Sequence, residues 1–224
     1  MKAYCPHLIL NGSVNILIDQ LPQTVEIDRI QVPVNWGYRA CILLEMVMFS
    51  GLSDEEKIRK ALNIFYCGAI PENVAAAIEK MSWFYNCGVR KGKSESILNK
   101  GKRSYCFEQD AFLIYAAFWT QYHINLNQMG NEQLHWWEFA AMFESLDDSL
   151  KIRQVMYWRL ADTKGMSKKE ASFIRKMKKV YAIQETESTA AGNVKLARRN
   201  ADMLAYVERR FREQEKGGEI FGRK

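Results

Sequence analysis

The sequence predicts a mainly α-helical protein: one or more compact helical domains, a short N-terminal β-hairpin and a C-terminal amphipathic tail helix. Three observations carry this. Only 4 prolines and 13 glycines punctuate 224 residues, which suits long regular elements better than a many-turned β-sandwich. Apolar residues recur at three- and four-residue spacing in successive segments from Tyr38 to Tyr181. Alternation of apolar and polar residues marks Val25 to Val32 instead. The hydrophobic share of 48% is that of a packed domain and argues against wholesale disorder.

In chain order, Val25-Glu26-Ile27, Asp28-Arg29 and Ile30-Gln31-Val32 read as strand, two-residue turn and strand. Arg29 lacks the ease at positive φ that glycine would bring, and Pro33 should end the second strand or place it at an edge. Tyr38 to Phe49 is apolar on nearly every side, the mark of a central buried helix that Gly51 stops. Ser53-Asp54-Glu55-Glu56 has the pattern of a capping box. The helix it opens carries Ile58, Leu62 and Phe65 on one stripe. Pro71 suits the first turn of the next, with Val74, Ile78, Met81 and Tyr85 as its stripe and an end near Gly88.

Residues 89–104 break the pattern, with glycines, many basic residues and little to build a core, and read as a mobile loop or linker. Helices resume at Glu108, where Phe112, Tyr115, Trp119 and Tyr122 share a face with Ile114 and Phe118 beside it. A further helix is expected within Asn131 to Leu146. Asp147-Asp148 can cap the one after it, which carries Ile152, Val155, Met156 and Leu160. Ser167-Lys168-Lys169-Glu170 forms a second capping box. Behind it Phe173, Ile174, Met177, Val180 and Tyr181 fill an arc of about 120° opposite a lysine-rich face. A polar stretch then leads to a tail helix from about Val194 to Gln214, whose thin seam argues against a self-sufficient coiled coil. The chain thus divides into 1–88 (hairpin and helices), 89–104 (basic loop), 105–183 (second helical half) and 184–224 (polar linker and tail helix).

No chemistry accompanies these elements. His7, His123 and His135 lack the close pairing of metal ligands, and a lone histidine beside Trp136 reads as a helix-start or packing residue. Gly88, Gly92 and Gly101 are too loosely spaced for a phosphate loop. Carboxylate pairs such as Glu55-Glu56 and Asp147-Asp148 sit at helix starts, where free amides explain them. No catalytic residue, metal or cofactor is therefore expected. The five cysteines are odd in number and unclustered, which suits free thiols in a reducing cytoplasm. Polar residues from Pro6 to Asn15 interrupt any signal-peptide core. The longest apolar run, Ala111 to Trp119, falls short of the roughly 20 residues a membrane helix needs. A soluble protein without membrane contact is expected.

The net charge of +6 is unevenly spread. Residues 1–146 hold 13 basic against 15 acidic residues, and residues 147–224 hold 19 against 11. Such a basic half could meet nucleic acid, yet no nucleic-acid motif accompanies it. Basic residues opposite an apolar stripe are more often a solvated face, and an acidic protein partner would use them equally well.

Several longer stretches carry a resemblance: QDAFLIYAAFWTQYHINL (109–126), LHWWEFAAMFESL (134–146), KIRQVMYWR (151–159) and KKEASFIRKMKKVYAI (168–183). With the upstream LPQTVEIDRIQVPVNWGYRACI (21–42) and GLSDEEKIRKALNIFYCGAIPENVAAAI (51–78), they resemble a bacteriophage tail-morphogenesis family. Its members are small soluble proteins encoded beside the tape-measure gene, where tail assembly chaperones stand. The likeness spans about residues 15–183 and leaves the tail beyond Gln184 open. The resemblance implies a non-enzymatic protein of the host cytoplasm, or alternatively of the virion tail. Its expected partner is the tape measure protein or another tail protein, with homo-oligomerisation a further expectation and nucleic acid a less favoured one.

Trp119, Trp136, Trp137, Phe143 and Trp158 are the rings that could line a groove for an amphipathic helix. The plain alternative is that they fill the core. Adjacent helical residues point about 100° apart, so Trp136 and Trp137 are both buried only if their helix packs on two sides. Lys168, Lys169, Arg175, Lys176 and Lys179 form the other candidate docking surface.

Overall fold

In the computed structural model the described residues are 14–88, 103–130 and 133–184. The basic loop expected over 89–104 falls outside them except for Arg103 and Ser104, and the tail helix expected beyond Gln184 lies outside altogether. Met1–Phe49 and Glu55–Ile183 make one compact unit, and Ser50–Asp54 with Gln184–Lys224 a second. Of the second, the described residues are a bend at 50–53, Asp54 and Gln184. The account below concerns the first.

The hairpin forms where alternation placed it: β1 (Thr24–Ile27) pairs antiparallel with β2 (Ile30–Pro33), Val25 opposite Val32 and Ile27 opposite Ile30. Its turn residues Asp28 (φ 49°) and Arg29 (φ 66°) both take the positive φ that a tight two-residue hairpin turn requires. Without a glycine, the turn is held from outside. The Asn73 amide donates to both Asp28 carboxylate oxygens at 3.1 Å, while its carbonyl oxygen accepts from the Ala76 amide. Asn73 is the N-cap of α3 (Val74–Tyr85), so one side chain starts the helix and fixes the hairpin against it. Val25 and Ile27 turn their side chains into the core, whereas Ile30 is exposed.

Seven helices are seen among the described residues. α1 (Tyr38–Met48) is central, with seven of its eleven residues buried. α2 (Asp54–Phe65) buries Ala61, Leu62 and Phe65. α3 begins three residues after Pro71 and buries Ala77, Met81 and Phe84, leaving Val74 exposed. Of the stripe expected through Val74, Ile78, Met81 and Tyr85, Met81 is buried and Ile78 and Tyr85 pack partly buried against the core, while Val74 in the first turn is exposed. α4 (Ala111–Tyr122), α5 (Trp136–Glu144), α6 (Lys151–Leu160) and α7 (Lys168–Val180) follow. The Ser167–Glu170 capping box forms as expected. Asp147 and Asp148 do not cap α6, whose N-cap is Leu150 without a side-chain bond. Asp147 instead accepts from the Ser149 amide, and Asp148 pairs with Arg153 at 3.0 Å.

Residues 14–88 and 105–183, set apart in the sequence by the basic loop, contribute to one core among the described residues. Its hub is Phe139 of α5, fully buried and stacked on Tyr38 of α1 (5.2 Å), Phe118 of α4 (4.9 Å) and Trp136 (5.7 Å). Parallel ring stacks of this kind add about 0.5–1.5 kcal/mol each beyond area burial.

Two buried polar clusters tie the periphery to this core. Arg159, near the end of α6, forms a two-pronged pair with Asp110 at 2.6 and 2.9 Å and donates to the carbonyls of Ser104 and Tyr181. Asp110 also accepts from the Cys106 amide. The segment before α4, the end of α6 and the end of α7 are thereby clasped at one guanidinium. Glu45 of α1, 3% exposed, accepts from the hydroxyls of Tyr85 and Tyr105 and faces Arg103 at 3.8 Å. Arg103 in turn lies 3.7 Å over the Phe49 ring. Burial pushes the Glu45 carboxyl above its usual range, against the lowering pull of the two hydroxyls and the guanidinium.

The clasp makes a quantitative expectation. Removing one member of a buried pair strands the other charge, so Arg159→Met should cost about 3–5 kcal/mol in urea unfolding. Asp110→Asn added to it should recover part of that loss. A double variant no more stable than Arg159→Met alone would mean that the carbonyl contacts, not the ion pair, hold the clasp.

Candidate protein-binding surfaces

The residues that carry the sequence resemblance, Leu134-His135-Trp136-Trp137, form the start of α5, and each has a structural task. His135 is the N-cap: its Nδ1 accepts from the Trp137 amide at 3.0 Å, and Glu138 reaches back to the His135 amide at 2.9 Å. Its other ring nitrogen lies 3.0 Å from the Pro22 carbonyl, just before the hairpin. With Nδ1 accepting, Nε2 must carry the proton that Pro22 receives, so both bonds require the neutral imidazole. The ring also stacks on Trp36 at 5.6 Å. On either side of it the backbone pairs with the stretch before α1, through Tyr38 N–H to Leu134 O and Trp136 N–H to Trp36 O.

The two tryptophans then close the far end of α3. Trp137 donates its indole N–H to the Phe84 carbonyl and Trp136 donates to that of Tyr85, both at 2.8 Å. The last carbonyls of a helix lack partners within it, and these two indoles supply them. Trp136 and Trp137 are 4% and 3% exposed. Phe143, one turn and a half further on, is buried as well. These three expected groove residues are therefore core. α5 is covered on two sides, by α1 and by the end of α3, which is the condition for burying both rings.

Gly88 (φ 77°) completes the joint, because a Cβ there would stand 2.9 Å from the edge of the Trp137 ring.

Trp158 is half-buried between α6 and α7, edge-on to Phe173 at 6.0 Å and tilted on Tyr181 at 5.4 Å. Lys151 Nζ lies 4.4 Å over its ring. Trp119 is the expected ring that reaches solvent, at 50% exposure, and it is not alone. Phe112 (88%) and Tyr115 (36%) are exposed on the same face of α4, flanked by exposed Ala111, Ala116 and Thr120. The opposite face, Ile114, Ala117 and Phe118, is the one that packs inward. Phe112 and Tyr115 were not singled out as contact residues. The available signal was the absence of any charge from 111 to 122: a helix apolar all round but packed on one side must leave apolar surface facing out.

The basic candidates are also on the outside. Lys168, Lys169, Arg175, Lys176 and Lys179 are exposed on α7, and none pairs with an acid among the described residues. Ala171 and Ile174 anchor the helix inward, while Phe173 and Val180 from its apolar arc stay exposed. Among the described residues, no group of three or more His, Cys, Asp or Glu side chains could hold a metal, and no helix is long and apolar enough to cross a membrane.

Fold and surface define a class, a small helical protein that displays an uncharged aromatic face and a cationic face. The chain belongs to the Bacteriophage Gp15 protein family, whose family model matches residues 17–183. No curated protein and no solved structure matches it.

Two measurements probe the α5 joint. Burial draws the His135 imidazole below its usual range, outweighing the raising influence of the Pro22 carbonyl and the Glu138 carboxylate. A base whose pKa is depressed on folding leaves the unfolded chain binding more protons. Its stability is complete above the unfolded value of about 6.5 and declines as pH falls through it toward the folded value. Thermal unfolding should therefore show a lower Tm at pH 5.5 than at pH 7.5, and His135→Asn, which can still cap, should flatten that slope. Buried Glu45 has the opposite sign, so an unchanged slope in the variant would exclude His135 as its source. Separately, Gly88→Ala should lower stability by about 1–3 kcal/mol through the ring clash and the left-handed φ, as read from urea midpoints.

Proposed function

We propose that this protein is a non-enzymatic phage tail morphogenesis factor, a tail assembly chaperone that holds the tape measure protein until tail-tube subunits replace it. The observation that carries the reading is the outer face of α4. Phe112, Tyr115 and Trp119 stand at i, i+3 and i+7 without a charged residue along the helix. That spacing presents one apolar seam about two turns long. It is the complement of an amphipathic helix laid alongside it, the mode by which helical chains are recognised in grooves and on helix faces. A chaperone for a long helical client needs such a surface open in its free state, and an aromatic one gives large contact area with little rotamer entropy to lose. The buried titratable groups Glu45, Asp110 and His135 are engaged in structural hydrogen bonds, which fits a protein that works by contact.

Coexpression with an affinity-tagged tape measure fragment tests both parts of the proposal. The wild type should copurify with the fragment and keep it soluble. Phe112→Ser/Trp119→Ser should fold normally, since both rings face solvent, yet recover at least about tenfold less fragment, the loss expected when two central aromatic anchors are removed. A tape measure that stays insoluble beside the wild type refutes the chaperone reading. Full recovery by the double variant refutes the assignment to α4. Peptide mass spectrometry of purified virions separates the chaperone, absent or substoichiometric there, from a structural tail protein.

A further inference from the structure

We infer that α7 is a second docking surface, one that takes an acidic amphipathic helix through a lysine row lying beside a short apolar row. The inference shares with the previous reading only the premise of an interaction protein and stands on a different face.

On a wheel of about 100° per residue, Lys176, Lys169, Val180 and Phe173 follow one another at intervals of about 20°. Phe173 and Val180 are seven residues apart, about 10 Å along the axis, and are 50% and 62% exposed. Lys169 and Lys176 repeat the same spacing immediately alongside. Lys168, Arg175 and Lys179 continue the cationic surface beyond them. The one acid of the helix, Glu170, is spent on the capping box with Ser167. Six cations stand against the single carboxylate of Glu170 along about 20 Å of helix; that carboxylate lies about 100° round the helix from Lys169, and no ion pair to the lysine row is seen among the described residues. Charge complementarity therefore calls for an acidic occupant. Phe173 is also positioned in advance, its ring set edge-on against Trp158, over which Lys151 adds a further cation.

The apolar row decides among polyanions. A nucleic acid backbone has no use for Phe173 and Val180 in the middle of the contact, and favours two-pronged arginine contacts over lysine point charges. An anionic membrane would take up the apolar side of the helix, but Ala171 and Ile174 are already turned into the protein. Two apolar anchors are too few for stable insertion. A helix with apolar residues at heptad spacing and glutamates on one flank matches both rows at once.

The probe is a fluorescent, designed amphipathic peptide of about 20 residues, long enough to be helical, with leucines on one stripe and glutamates flanking it. Anisotropy with the full chain should report binding that weakens at least about tenfold between 50 and 300 mM salt, as screening of several charge pairs requires. Lys169→Glu/Lys176→Glu should weaken it at least about tenfold and Phe173→Ser/Val180→Ser by about fivefold or more, with unchanged circular dichroism. A peptide with glutamine at the glutamate positions should bind as weakly as the charge-reversed protein meets the acidic one. Phe112→Ser/Trp119→Ser should bind the acidic peptide like wild type. Equal binding by the charge-reversed variant overturns the inference. So does retention of a DNA duplex or of phosphatidylglycerol vesicles at salt where the peptide is not held. Loss of tape measure copurification in the α4 variant alone leaves this inference standing, and loss of peptide binding alone leaves the α4 assignment standing.

Discussion

A helix that ends inside a protein must find partners for its last carbonyls, and a helix that begins there must find acceptors for its first amides. Here the first turn of α5 meets both demands within three residues. His135 closes its own helix and reaches Pro22, while the indoles of Trp136 and Trp137 close α3. The hairpin, the stretch before α1, the end of α3 and the core ring stack around Phe139 are all positioned by that turn. This explains why two tryptophans stand side by side. Each satisfies a different carbonyl, and their bulk fills the two sides on which α5 is covered. It also explains the neighbouring glycine, since Gly88 is where the α3 backbone passes against Trp137.

The other buried polar groups play the same part at a distance from α5. Asp110 and Arg159 are poor candidates for net stabilisation as an isolated buried pair, because both ions lose their hydration. The guanidinium, however, also donates to the Ser104 and Tyr181 carbonyls. The Glu45 cluster gathers hydroxyls from α3 and from the segment before α4, together with Arg103. Both clusters thus fix the route of irregular chain, where the hydrophobic effect alone is non-directional.

These clusters bind the body together from inside, and α4 and α7 contribute to its outer surface. α4 and α7 divide that surface by chemistry. One displays rings without charge and the other charge beside two apolar side chains. Faces of different chemistry also lessen the tendency of an exposed aromatic patch to recruit arbitrary partners, since like charges repel wrong ones.

Local rules made much of the fold legible. Alternation located the hairpin turn at Asp28-Arg29 and each strand to within one residue, the capping box at Ser167–Glu170 located α7, and the all-round apolarity of Tyr38–Phe49 marked the central helix. The histidine before Trp136 was read as a helix-start or packing residue, and it is both. The misreadings share a cause. Of the α3 stripe, Val74 alone turned out exposed, in a first turn that Asn73 caps while also holding the hairpin turn, a contact across 45 residues. Trp136, Trp137 and Phe143 resembled groove residues because ring content does not reveal which rings a neighbouring helix covers. Phe112 and Tyr115 lay on a face whose direction only packing could assign. The sequence by itself determined the helical class, the order of its elements and the separation of a near-neutral first part from a basic remainder, since periodicity, capping and charge are local properties. Which faces turn inward was decided by tertiary structure alone, because burial depends on partners distant in the chain, and it is burial that sorts identical aromatic residues into core and contact surface.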